Sequence, residues 1–169
     1  MKTMNIENEL MKQTNQLTLA MIAGKSNYDD SIFDIQQQIK ILKEMKATNQ
    51  RLNEAKQRSY EVHTAAVWDD NVNDFTPVSE QLCNFYDADV EALSKQLEWL
   101  DYAYRKNQLK QKLPELEIIK LNGSEQAEMR ALNALKGCSY EKKSILEKAY
   151  LAAQSARKNL LEKLEQMIC

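Results

Sequence analysis

Thr76 to Pro114 reads TPVSEQLCNFYDADVEALSKQLEWLDYAYRKNQLKQKLP, and the only two prolines of the chain bracket it. Thr76 suits a helix N-cap, and Pro77 suits the first helical position, where a missing N–H costs nothing. Leu82, Tyr86, Val90 or Leu93, Leu97, Leu100 and Tyr104 recur at the three-to-four spacing of one helix face. Pro114 predicts a stop near Leu113, because proline disfavours helical backbone in the residue before it. A helix of about 36 residues rises about 54 Å. A compact globule of this length is only about 40 Å across. The helix is longer than the ball it would sit in, so the expected form is a rod or hairpin.

Upstream, a second long helix is expected to start near Ser31. Ser31 and Asp34 approximate a capping box, and Asp29 and Asp30 favour the positive end of the helix dipole. Ile32, Ile35, Ile39 and Leu42 form its stripe. The stripe then fades in KEMKATNQRLNEAKQRSY, where Asn49, Lys56 and Ser59 fall on the expected period and Leu52 is nearly alone. Further upstream, Ile6, Leu10, Leu17 and Met21 predict a helix over about Asn5–Ala23, with Gly24 as its left-handed cap. Gly24, Lys25 and Ser26 make a hinge, so residues 1–24 read as a separable helix within a single domain spanning 1–169.

Downstream, PELEIIKLNG fits either a short helix begun by Pro114 or an extended connector. A fourth helix is expected over Ser124–Lys136, closing at Gly137. The fifth runs from Ser139 to Met167 on a stripe of Ile145, Ala149, Ala152, Ala156, Leu160 and Leu164. The small residues of AYLAAQSA let another helix approach closely. These stripes approach heptads over parts of the third and fifth helices without sustaining four clean repeats. The expected fold is all-α: an elongated antiparallel helical bundle with a long helical hairpin and coiled-coil-like stretches.

Composition agrees. Three glycines and two prolines supply too few turns for a β-rich fold. Leu, Ile, Val and Phe make up 38 of 169 residues, enough for an ordered but thin core. Mean hydropathy is −0.62 and the net charge is −2, too small to force disorder. Cys83, Cys138 and Cys169 are odd in number and lack a CxxC pair, so a reducing compartment is expected. LTLAMIAG resembles a signal core, but Glu7 and Glu9 precede it where a basic n-region belongs. No run approaches the roughly 18 apolar residues of a membrane span. The expected location is cytoplasmic, with signal-independent export as the other reading.

Chemistry is defined mostly by what is lacking. His63 is the lone histidine, so a ferritin-type di-iron site cannot be built. GxGxxG, GxxxxGK[ST] and GxSxG are all missing. Asp87 and Asp89 sit two apart on a helix and do not face each other. No enzyme, metal or cofactor is expected. The stretch AAVWDDNVNDFTPVSE, Ala65 to Glu80, reads as the hairpin turn. It lacks the Gly and Glu of a calcium loop, and a hairpin tip lacks the concave setting that raises a carboxyl pKa.

Surfaces remain. Trp68, Asp69, Asp70 and Phe75 form a candidate partner-binding tip. A basic patch is the other candidate: Lys40, Lys43, Lys46 and Arg51 from the second helix, with Arg105 and Lys106 from the third. A hairpin turning near residue 72 sets Lys40 opposite Arg105. The expected function is non-enzymatic protein–protein interaction, as an adaptor, chaperone or assembly subunit, with a protein partner or a homo-oligomer. One alternative is a nucleic-acid-associated helical protein using the basic run over 40–58, which the acidic pI of 5.6 weakens. Another is a signal-less secreted effector or secretion-apparatus component.

Overall fold

The computed structural model describes residues 5–25, 30–66, 68–69 and 74–168. Its elements are α1 (Ile6–Ile22), α2 (Asp30–Ala65), β1 (Trp68–Asp69), β2 (Asp74–Phe75), α3 (Pro77–Lys110), α4 (Glu115–Lys136) and α5 (Tyr140–Gln166). The all-α helical bundle expected from the sequence is what forms. The chain divides into two compact units, Met1–Tyr104 and Arg105–Cys169, with the division inside α3.

In the first unit, α2 and α3 run antiparallel, at 36 and 34 residues. Each is about 50 Å long. Two buried clusters form their seam. Leu42, Met45 and Tyr104 gather Ile41, Leu97 and Leu100, while Leu52, Ala55 and Leu93 gather Val90 and Leu97. On α3 the inward residues are Cys83, Tyr86, Val90, Leu93, Leu97, Leu100 and Tyr104, a three-four alternation close to a heptad repeat. Leu82, expected on that face, is exposed instead.

The fading stripe of α2 is a matter of register. Its buried face continues through Met45, Thr48, Leu52 and Ala55. Asn49 and Lys56, expected on the periodic face, point to water. A methionine, a threonine and an alanine carry the seam there, and only Leu52 announces itself as apolar.

The first helix packs within its own chain. Ile6 and Leu10 join the Leu42–Met45–Tyr104 cluster. The buried Tyr104 hydroxyl donates to Glu9 Oε1 at 2.7 Å, and Lys46 Nζ meets Glu7 at 2.9 Å. Asn5 caps the helix by accepting from the Asn8 amide. The end is a Schellman turn: Lys25 N–H donates to Ala20, Gly24 N–H donates to Met21, and Gly24 has φ +76°.

In the second unit, the end of α3 meets α4 and α5. Arg105 donates from Nε to Glu165 Oε1 at 2.6 Å, and Lys106 pairs with Glu125. Leu109, Ile118, Leu121, Leu161 and Leu164 are buried. The ambiguous PELEIIKLNG is helical: α4 begins at Glu115, after Pro114, and runs unbroken through Gly123. Space around Gly123 is open, so no close approach demands glycine there. α3 ends at Lys110, three residues short of the expected stop, and Lys112 and Leu113 fold back onto the Leu109 carbonyl.

The expected stripe of α5 is mostly wrong. Leu164 is buried and Leu160 is half-buried, but Ile145, Ala149, Ala152 and Ala156 are exposed. The inward face is Leu146, Tyr150, Ala153, Arg157, Leu160, Leu161 and Leu164. Arg157 occupies a seam position and pairs with Glu128 of α4. Both side chains are buried, at 3% and 0% exposure, and Glu128 Oε1 has no hydrogen-bond partner among the described residues. A charged pair at the centre of each helix breaks the apolar period, so the readable stripe slides onto the outer face.

Candidate functional surface

The hairpin turn falls where the sequence puts it. Trp68 pairs with Phe75 and Asp69 with Asp74 in a two-residue antiparallel ladder. This backbone pairing closes the end of the hairpin and brings three of the four candidate tip residues together. Asp70 lies outside the described residues.

Below the tip, α2 and α3 are linked by polar groups. Ser59 Oγ donates to Asp87 Oδ1 at 2.7 Å, and His63 Nε2 lies 3.0 Å from Asp87 Oδ2. The lone histidine and Asp87 therefore form a cross-helix contact. Serine, histidine and aspartate are the residue types of a hydrolase triad, but the order is wrong for one. A nucleophilic serine must hand its proton to the histidine. Here the hydroxyl donates to the carboxylate, and the carboxylate separates it from the ring. Asp87 is held below its ordinary value, first by the Ser59 hydrogen bond and then by His63.

Among the described residues, no group of three His, Cys, Asp or Glu side chains is placed to hold a metal. No described helix is long and apolar enough to cross a membrane. A surface cavity of about 450 Å³ beside α4 is lined by Lys106, Asn122, Glu125, Gln126 and Arg130, among others. Its lining is of mixed charge and includes the apolar Met129, and its lysine already pairs with Glu125.

The basic-patch residues are spread over different surroundings. Lys40, Lys43 and Arg51 are exposed on α2. Lys46 is also exposed and pairs with Glu7. Arg105 and Lys106 belong to the second unit and are engaged with Glu165 and Glu125. Tyr102 and Tyr104 are buried packing residues, whereas Tyr60 is exposed.

A different surface emerges that the sequence reading missed. Val78, Leu82 and Phe85 are 69%, 46% and 68% exposed. They lie at i, i+4 and i+7 on α3, so they share one face. Phe85 is held edge-on against Tyr86, with ring centroids 5.3 Å apart. The signal was present as a second, offset apolar period beside the buried one. Leu82 was placed on the inner stripe, which hid the outer one.

The stretch of chain that carries this stripe is acidic. From Glu61 to Glu91 the chain carries eight acidic residues and no lysine or arginine. No protein-family model, curated protein or solved structure matches this chain.

Proposed function

We propose that this chain is a non-enzymatic interaction protein, an adaptor, chaperone or assembly subunit that binds another polypeptide through the tip half of its α2–α3 hairpin. The observation that carries the reading is the exposed Val78–Leu82–Phe85 stripe. An intramolecular core leaves large side chains exposed singly, and scattered cases need no explanation. Three on one face of one helix, next to a buried seam that already satisfies that helix, fit a surface kept for contact. The support is a rigid hairpin whose seam fixes the stripe in place.

The reading makes no use of catalysis. Among the described residues, the Ser59–Asp87–His63 cluster carries catalytic residue types but is wired as a structural contact. Affinity capture with the wild type and with Leu82→Ser/Phe85→Ser tests the reading. Both proteins should melt alike, because surface substitutions change stability by about 0.5 kcal/mol or less. A protein recovered by the wild type and lost by the variant is the expected result. Equal recovery by both removes the stripe from the account.

A further inference from the structure

The surface cavity beside α4, about 450 Å³, has the size of a small-molecule site. Its lining residues all belong to the second unit. Asn122, Gln126, Met129 and Asn133 stand at i, i+4, i+7 and i+11, so they form one line along α4. By the same spacing Glu125 flanks that line on one side and Arg130 on the other. Lys106 reaches Glu125 from α3, and both partners are half-buried. On other helices glutamines pair one turn along: Gln50 donates to Glu54 at 3.2 Å and Gln57 to Glu61 at 2.8 Å. The three carboxamides of the cavity differ, since their side chains bond no other described residue. Arg130 is exposed and likewise has no carboxylate partner among the described residues.

We infer that this cavity binds a small polar monocarboxylate, a molecule of the amino-acid or sugar-acid class. The charges decide the anion. One lysine, one arginine and one glutamate leave the lining with a single net positive charge, which a monoanion neutralises. A phosphate dianion would meet the Glu125 carboxylate as well as the guanidinium. Arg130 presents the planar fork that matches a carboxylate with two parallel hydrogen bonds. The amides decide the rest of the ligand. Each offers two donors and an acceptor, so three along one line suit a molecule with several hydroxyl, amine or amide groups. Met129 sets a flexible apolar side chain between Gln126 and Asn133, where a carbon skeleton can lie. The Lys106–Glu125 pair holds the far wall in place before any ligand arrives, so those charges need no ordering on binding.

Nitrogen–proton correlation spectra of the full chain test it, with sodium gluconate and sodium glutamate as probes. Each should shift the side-chain amide signals of Asn122, Gln126 and Asn133 along saturable curves in the millimolar range or tighter. The signals of Gln50 and Gln57 should stay in place. Glycerol, which carries hydroxyls and no charge, should shift none of them. Arg130→Gln should weaken binding by at least about tenfold, and Asn133→Ala by about threefold. Both positions are on exposed helix surface, where substitution leaves the fold intact. Arg130→Lys keeps the charge without the fork and should fall between the wild type and Arg130→Gln. Should Arg130→Gln lose its helical signal, Arg130→Lys and Asn133→Ala decide the same question. The absence of a saturable shift from either carboxylate overturns the inference. Equal shifts from glycerol, or equal binding by the wild type and Arg130→Gln, overturn it as well. Shifts from inorganic phosphate alone overturn the carboxylate class. No residue of the α3 stripe lines the cavity, so Leu82→Ser/Phe85→Ser should bind gluconate as the wild type does. This inference and the interaction reading therefore fail separately.

Discussion

The α2–α3 seam and the α4–α5 seam solve the same problem with different residues. Both are antiparallel helix pairs with inward residues at heptad-like spacing. The first is closed by Leu, Met, Tyr and small side chains, and keeps its charged contact, Asp87 with His63 and Ser59, at the solvent edge. The second places Glu128 and Arg157 in the middle of the seam, both buried. A buried ion pair gives up hydration that its attraction repays only with good geometry, and it is weak evidence for stability. The two seams therefore differ in what lies at their centres: apolar side chains in one, an ion pair set among buried Ile118, Leu121, Leu161 and Leu164 in the other.

The largest expected break in that contrast is Arg157→Ala. It strands the Glu128 carboxylate in an apolar seam and should cost about 3–5 kcal/mol, read by denaturant unfolding. Replacing both partners, as Glu128→Met/Arg157→Leu, should recover most of the loss or exceed wild-type stability, because no charge is then left buried. If Arg157→Ala unfolds at the wild-type midpoint, the pair does not hold the second seam.

A smaller effect is expected at the edge of the first seam. Tyr104→Phe removes the hydroxyl that donates to Glu9 and should cost about 1.5–3 kcal/mol, the range for hydrogen bonds to charged acceptors. Amide exchange should rise along α1 more than along α4, because Tyr104 anchors the first helix. Gly123→Ala should move the other way. The site is helical, with open space where a Cβ would go, so stability should rise by about 0.5–1 kcal/mol. A fall in stability there would mean that α4 is not continuous through Gly123.

The smallest expected effect is on acid stability. The Asp87 carboxyl lies below its ordinary value of 3.8 in the folded chain, held by the Ser59 and His63 contacts. A depressed carboxyl favours the fold at pH values above 3.8, and that contribution disappears as pH falls through the folded-state value. Glu9 behaves alike: burial raises its pKa, but the Tyr104 and Gln13 hydrogen bonds outweigh it, leaving it below 4.5. Asp87→Asn should flatten the pH dependence of melting below about 4. Unchanged dependence would mean the contact contributes nothing in solution.

How much of this was legible follows the same contrast. The α3 helix was readable because its seam residues are Leu, Val and Tyr and its start carries Thr-Pro. The register of α2 was lost where Thr48 and Ala55 carry the seam, since neither stands out as apolar. The register of α5 was lost where Arg157 replaces an apolar residue. A charged residue at a seam position is legible only with its partner, and Glu128 lies 29 residues away. Of the candidate tip, the turn was legible from its Asp and Asn residues. The adjoining Val78–Leu82–Phe85 stripe was not, because exposure is a property of packing and Leu82 fits either face by spacing alone.

The central claim is that the outer face of α3 is covered by another chain. A benzophenone amino acid placed at Phe85 and irradiated in the source cells tests it most directly. The account predicts a covalent adduct to a second polypeptide, with no comparable adduct from the probe at Gln126. Irradiation that yields only uncrosslinked monomer from the position-85 probe would contradict it.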